Sequence, residues 1–440
     1  MRALLNQRVT LSFRSSMKLS FAEIPTCKII LTYFSNLACR QKRIKNMQRS
    51  PRNEPARAIS ALPLALLGGI SAEVFLRDYW QKKPLLIRNA IRNFTAPLTK
   101  REVFTLARRD NAESRLITCE SAQWQLQHGP FSSRALQLPA STLWTILIQD
   151  VQHFSHEAHA LLGQFNFLPQ ARIDDLMVSY AVPGAGVGAH VDSYDVFLLQ
   201  GMGRRRWQIS TQTDLTLKPD MPLKILAHFK PTEEFVLDTG DMLYLPPSIA
   251  HHGVAETECM TWSIGFRAPS KQDFCVAYLD YLRDALRLPG HYADPNISVT
   301  HHTAEIDVGM QTRYAALLRD LPSSLGDVQS INRFIGCHLT EPKPHVVFEP
   351  PEDELTLPAF ITAAKRHGLR LDLKTRFLYD KKCLYVNGEV HLPVRGTWQA
   401  LRQLADTRAL PGAAFAGAPT RHTWLFARHQ EGAIEVSPAA

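Results

Sequence analysis

The stretch GVGAHVDSYDVFLLQGMGRRRW, Gly186–Trp207, sets a histidine and a carboxylate two residues apart. An apolar run, a Gly-Met-Gly turn and three arginines follow. Side chains alternate along a strand, so as a β-hairpin this stretch projects His190 and Asp192 from one face with Val191 turned away. A histidine and a carboxylate on one face are what a strand can offer a divalent metal. His-x-Asp alone is frequent by chance, so the pair carries weight only if a third ligand comes from elsewhere.

LDTGDMLYLPPSIAHHGVAE, Leu237–Glu256, offers that ligand. Asp-Thr-Gly-Asp makes a turn, MLYLP a buried strand, and the Pro-Pro turn delivers His251 and His252 onto the next strand. Adjacent strand residues face opposite sides, so one of the two is the ligand, and alternation alone leaves open which. Two histidines and one carboxylate leave coordination positions free, which suits non-haem Fe(II) that takes a cosubstrate and oxygen. In RRRWQIS, Arg205, Trp207 and Ile209 share one face and Arg204, Arg206, Gln208 and Ser210 the other. The Trp–Ile face is expected inside, which puts Arg205 inside. An interior guanidinium needs an anion. Either a dicarboxylate such as 2-oxoglutarate, held bidentately, or an internal Asp or Glu supplies it. Ser263 in MTWSIGF and Tyr180 in MVSYAVPG are candidate linings of the cosubstrate pocket, each equally readable as an ordinary strand residue.

From Arg172 to Ala268 short β segments alternate with Gly/Pro turns, the mark of a sandwich or barrel. Before them, Ser71 caps a short helix, KKPLLIRNA reads as a strand and Thr99–Arg109 as a helix. SRLITCE and WQLQHG read as strands, and TLWTILIQDVQHFSHEAHALLGQF, Thr142–Phe165, as helical. After RAPS the period turns helical, with Phe274, Tyr278, Tyr281 and Leu282 on one face, until about Gly336. A Pro- and acid-rich linker, EPKPHVVFEPPEDE, follows. Beyond it lies a small mixed unit with an Asn-Gly hairpin signal at Asn387-Gly388.

Net charge is +9, but residues 1–58 hold 12 Lys/Arg against two acids, and the remainder 38 against 39. The folded part is near neutral, which argues against a dedicated nucleic-acid binder and leaves direct nucleic-acid contact open. Segment 1–58 is read as a basic, disordered extension or as the product of an upstream start with Met47 as the true one. A transit peptide and a basic RNA-touching arm are the competing readings. Seven scattered cysteines without CxxC spacing, and no secretory signal, fit a reduced cytoplasmic interior. No stretch is long and apolar enough to span a bilayer.

Three passages carry a resemblance: FLRDYWQKKPLLIRNA (75–90), RIDDLMVSYAVPGAGVGAHVDSYDVFLLQGMGRRRWQI (172–209) and GDMLYLPPSIAHHG…WSIGFRAP (240–269). They resemble the JmjC-domain cupins, 2-oxoglutarate oxygenases, and among these the bacterial ribosomal oxygenases. Those enzymes hydroxylate an arginine of large-subunit ribosomal protein number sixteen. The resemblance implies a mainly β protein with α elements. Its parts are a double-stranded β-helix core at 59–269, a helical dimerisation region at 270–345 and a winged-helix-like domain at 346–440. It implies Fe(II) on His190, Asp192 and His251, since the family pattern after Pro-Pro is three residues, His, one residue, Gly. It places 2-oxoglutarate on Arg205, with O2 as co-reactant, a ribosomal protein as substrate, and a homodimer. The basic extension lies outside the family pattern. Asp174, Asp175, Tyr194 and Asp195 are candidates to meet the substrate arginine; solvation or strand-end turns explain them equally well, and Asp174 and Asp175 read better as structural. Two rivals are a JmjC demethylase or asparaginyl/histidyl hydroxylase, and a metal-free cupin whose winged helix binds nucleic acid.

Overall fold

The computed structural model describes residues 62–438 apart from 296, 300–303, 305, 320, 322–325, 353, 394–395 and 416–418. The basic segment 1–58 lies outside the described residues.

Helix α1 (Ala72–Asp78) starts where the Ser71 side chain accepts the Val74 N–H, and α2 (Lys100–Leu106) opens on a reciprocal Thr99–Glu102 capping box. The strands are β1 (Leu85–Ile87), β2 (Ser114–Glu120), β3 (Gln123–His128), β4 (Leu143–Ile148), β5 (Ile173–Ala181), β6 (His190–Val191), β7 (Asp195–Met202), β8 (Arg205–Ser210), β9 (Glu233–Leu237), β10 (Met242–Leu245), β11 (Ala250–Ala255) and β12 (Cys259–Phe266). They form an eight-stranded sheet, order β1-β10-β7-β12-β5-β4-β2-β3, and a four-stranded sheet, order β6-β11-β8-β9. This is the expected double-stranded β-helix.

Both faces of the large sheet are buried at its central strands β7 and β12, which therefore read as near-continuous apolar runs. Phe197 and Leu199 of β7, with Trp262, Ile264 and Phe266 of β12, pack outward against Phe75, Val103 and Phe165. Val196 and Leu198 point inward and meet Trp207, Ile209, Leu237 and Leu243. The inward row of β12 is Thr261, Ser263 and Gly265, small residues that leave space inside the barrel.

One expectation fails. Thr142–Phe165 is not one helix: Leu143–Ile148 is strand β4, paired with β2 and β5, Val151–His153 is a single 3-10 turn, and only His156–Gly163 forms an α-helix, α3. A strand covered on both faces carries a continuous apolar run, and such a run has no period that separates it from a buried helix.

Helices α4 (Lys271–Ala285), α5 (Val308–Arg319) and α6 (Val328–Thr340) follow. Phe274, Tyr278 and Tyr281 of α4 gather around Phe334 of α6, as the apolar spacing indicated. The terminal unit comprises α7 (Leu357–His367), β13 (Leu369–Leu371), β14 (Phe377–Tyr379), β15 (Leu384–Val386), β16 (Glu389–His391), α8 (Trp398–Thr407), β17 (Ala409–Leu410), α9 (Pro419–Gln430) and β18 (Ile434–Val436). Asn387 and Gly388, both with positive φ, make the β15–β16 turn. The Gly388 N–H donates to Thr340 Oγ1 at 3.1 Å, tying α6 to this unit. Among the described residues no helix is long and apolar enough to cross a membrane, and the five cysteines there are free thiols.

Candidate active site

His190 and His251 face each other across the β6–β11 pairing, with ring centroids 4.2 Å apart. Asp192 follows β6 in the loop. Its carbonyl accepts the Ser248 N–H at 2.9 Å, which ties this loop to the turn after Pro246-Pro247. Its carboxylate Oδ2 stands 3.7 Å from His251 Nε2. The three side chains each offer one ligand atom, all within 4.8 Å of one another, and they are the only such group among the described residues.

The backbone orients both rings. His190 Nδ1 lies 3.0 Å from the Gly188 carbonyl and His251 Nδ1 2.9 Å from the Ile249 carbonyl. An Nδ1–H donated to a carbonyl leaves the Nε2 lone pair free for a metal. His251 is 2 % exposed; burial, then the neighbouring His190, push it down to about 3, so it is neutral and able to ligate. Burial raises Asp192, against His190 and a hydrogen bond from Tyr194. A bound cation would offset that burial cost. His252 projects from the opposite face of β11, beside the Phe229 ring. Gly253 must lack a side chain, because a Cβ there would meet the Trp207 ring at 2.7 Å.

Arg205 is inside, as strand phase required, and 3 % exposed. Its Nη1 donates to Ser179 Oγ at 3.0 Å and Thr261 Oγ1 at 3.1 Å, and Thr261 Oγ1 donates on to Gln200 Oε1 at 3.1 Å. Its Nε has no partner, and no carboxylate of the described residues lies within ion-pair distance of it. No Asp or Glu of the described residues is therefore its counter-charge. Burial pushes the guanidinium pKa down, the direction expected of a cation that lacks its anion. Ile209 pairs with His251, so Arg205 and the histidines occupy two levels of one barrel interior, the backbone at Arg205 lying about 13 Å along β8 from that at Ile209.

Two of the remaining assignments change. Tyr180 is not in the pocket. It is 1 % exposed and packs outward, its ring 5.3 Å from Phe104 and 5.5 Å from Trp144. Its neighbour Ser179 takes the inward position. Ser179, Thr261 and Gln200 form one cross-strand row over β5, β12 and β7; the sequence reading misses Ser179 and Gln200, and phasing β5 against the small face of β12 would have found Ser179. Ser263 is buried on the same inward face as Thr261. Asp195 is not at a mouth: it is 0 % exposed and accepts from Tyr244 Oη at 2.7 Å and Gln81 Nε2 at 2.9 Å. Asp174 pairs with Arg267 at 3.4 Å. Asp175 and Tyr194 lie on either side of Gly265, where a Cβ would stand 2.9 Å from Asp175 Oδ1 and 4.0 Å from Tyr194 Cε2.

Residues 160–274 match the JmjC domain and residues 323–423 the ROXA-like winged helix. The chain is 32% identical to the ribosomal protein uL16 3-hydroxylase of Escherichia coli over 349 residues, 78% of this chain and 91% of that one. The chain belongs to the JmjC-domain ribosomal oxygenases. A probable ribosomal oxygenase of Haemophilus influenzae is 35% identical over 60% of this chain and 64% of its own. The solved structure of YcfD, a ribosomal oxygenase from E. coli, in complex with cobalt and 2-oxoglutarate, matches this ribosomal oxygenase with a TM-score of 0.70. Identity there is 30%, over 82% of this chain and 97% of that one.

Proposed function

We infer that this chain is an Fe(II)- and 2-oxoglutarate-dependent protein hydroxylase acting on Cβ of an arginine in large-subunit ribosomal protein uL16. The observation that carries this reading is the pairing, in one barrel, of a His-Asp-His group with a buried guanidinium that has no carboxylate counter-charge among the described residues.

His190, Asp192 and His251 would hold the iron through two Nε2 atoms and one carboxylate oxygen. Iron held there would supply the oxidative chemistry, in which decarboxylation of 2-oxoglutarate accompanies insertion of one oxygen atom into a C–H bond. Arg205 takes the far carboxylate of the cosubstrate, and Ser179 and Thr261 hold the guanidinium in place through their hydroxyls. Trp207, Ile209 and Leu198 wall the site and exclude water. Ser263 lines the same inward face. Asp175 and Tyr194 receive the substrate guanidinium. The domain limits 59–269, 270–345 and 346–440 stand as part of this reading, as does a homodimer formed through the helical region. Exposed Leu279 and Val276 on α4 support the dimer. The site of action is the cytoplasm, where a ribosomal protein is met.

The test is intact-mass analysis of uL16 incubated with the protein, Fe(II), 2-oxoglutarate and O2. The expected result is a gain of one oxygen atom, absent with Asp192→Ala. Faster turnover of methyl-lysine peptides than of uL16 would shift the reading to a demethylase.

A further inference from the structure

The segment joining α6 to the terminal unit reads Glu341-Pro342-Lys343-Pro344-His345. Each proline has a fixed φ, and a residue before proline is kept out of the helical region, so the backbone at Lys343 is restricted on both sides. A hydrogen bond from Val346 N–H to the Lys343 carbonyl at 2.9 Å closes the turn. The ammonium is thus delivered, at small entropic cost, into three carboxylates of the barrel unit. Nζ donates to Asp150 Oδ1 and Oδ2 at 3.0 and 3.1 Å and stands 3.6 Å from Asp174 and 4.0 Å from Asp175.

The three acids are not equivalent. Asp150 also accepts from Gln152 Nε2 and has His345 Nε2 at 3.3 Å. Asp174 has Arg267. Within hydrogen-bond or ion-pair reach, Asp175 has only the Gln149 amide at 3.3 Å and Lys343 among the described residues, and it is the acid that borders Gly265 and Tyr194 on the inward face.

We propose that Lys343 is a positioning residue for substrate binding: from outside the barrel it supplies the counter-charge that lets Asp175 meet the substrate guanidinium as a carboxylate. This rests on the reading of an arginine substrate given above. Burial, Asp150 and Asp174 all disfavour charge on Asp175 and push it up to about 6; Lys343 is the largest opposing influence, followed by the Gln149 amide. Arg376 of the terminal unit also faces Asp175, and Tyr194, the phenol across Gly265, stays neutral. Remove the ammonium and the buried cluster keeps its acids with one cation fewer. Asp175, the least supported, takes up the proton. A neutral acid is a poor partner for a guanidinium. The connection to the terminal unit thereby acts on the mouth of the barrel.

An opposite charge at this range shifts a carboxyl by about 1–3 units. Taking about one unit for the loss of Lys343, the ionised fraction of Asp175 at pH 6 falls from about one-half to about one-tenth. KM for the peptide then rises about fivefold at pH 6 and hardly changes at pH 8.5.

The test uses the full chain as wild type, Lys343→Met and Lys343→Arg. KM for a uL16 peptide should rise in Lys343→Met at pH 6 and not at pH 8.5, with kcat and KM for 2-oxoglutarate unchanged, and Lys343→Arg should restore it. Independently of activity, the Asp175 carboxyl 13C resonance, assigned by its loss in Asp175→Asn, should titrate about one unit higher in metal-free Lys343→Met. An unshifted midpoint, or a KM ratio equal at both pH values, overturns the proposal. A wild-type protein that leaves the peptide unmodified overturns the substrate reading instead, while the carboxyl midpoint still decides whether Lys343 controls Asp175.

Discussion

Replacing Arg205 by methionine separates a ligand-binding guanidinium from a structural one, because the two roles move stability in opposite directions. The side chain is buried, its Nε unsatisfied, with two hydroxyls for partners and no carboxylate. An uncompensated buried cation costs several kcal/mol, against which the two charged hydrogen bonds return about 1.5–3 kcal/mol each at best. Methionine keeps most of the stem that packs near Trp207. The freed hydroxyls keep partners of their own: Thr261 donates to Gln200, and Ser179 donates to the Thr261 carbonyl at 3.5 Å. The cosubstrate-free variant is therefore expected to be about 1–2 kcal/mol more stable than wild type. At about 2–4 °C per kcal/mol for a domain of 150–250 residues, Tm should rise by a few degrees. Affinity for 2-oxoglutarate moves the other way. Losing a charge-assisted pair of about 1.5–3 kcal/mol weakens binding about 10- to 150-fold. Calorimetric titration of the Mn(II)-loaded protein with 2-oxoglutarate reads the second effect, and differential scanning calorimetry without ligand reads the first. A variant that melts several degrees lower and binds 2-oxoglutarate as wild type does would refute the anion-site assignment.

Three further outcomes follow from the geometry. His251→Ala should abolish stoichiometric binding of Mn(II) while His252→Ala leaves it intact, measured by metal analysis after gel filtration, because β11 turns the two rings to opposite faces. Ser179→Ala should weaken 2-oxoglutarate binding about fivefold, the worth of one hydrogen bond of about 1 kcal/mol, whereas Tyr180→Phe should leave it unchanged; equal effects would contradict the inward row of β5. Burial holds His153 at about 4 and His159 at about 3, below the unfolded value of about 6.5. The unfolded chain therefore binds more protons below that value, and stability falls as pH drops from about 6.5 towards about 4, by at most about 1.4 kcal/mol per pH unit for each ring. His159→Phe should flatten the fall in Tm between pH 6.5 and pH 4.5.

Much of the site is legible in the sequence. Period-two alternation chose Arg205 out of three consecutive arginines, and put His190 with Asp192, because a strand allows only two faces and one must be apolar. Alternation does not say which face is inward when both are buried. That is why Tyr180 and Ser179 exchange places, and why β4, apolar on both sides, passed for a helix. His251 and His252 stayed tied on the same ground until the family pattern chose between them, and the β6–β11 register then set His251 opposite His190.

What the sequence by itself determined is the chemistry available: the ligand types, their strand spacing, the interior guanidinium and the barrel that carries them. What only the tertiary structure decided is which polar groups find partners. The missing counter-charge at Arg205, the withdrawal of Asp195 into a buried network and the arrival of Lys343 beside Asp175 all depend on contacts between residues from 26 to 168 positions apart. Local patterning reports on neighbours three or four residues away at most, whereas a buried charge is stabilised or stranded by whatever the fold brings next to it.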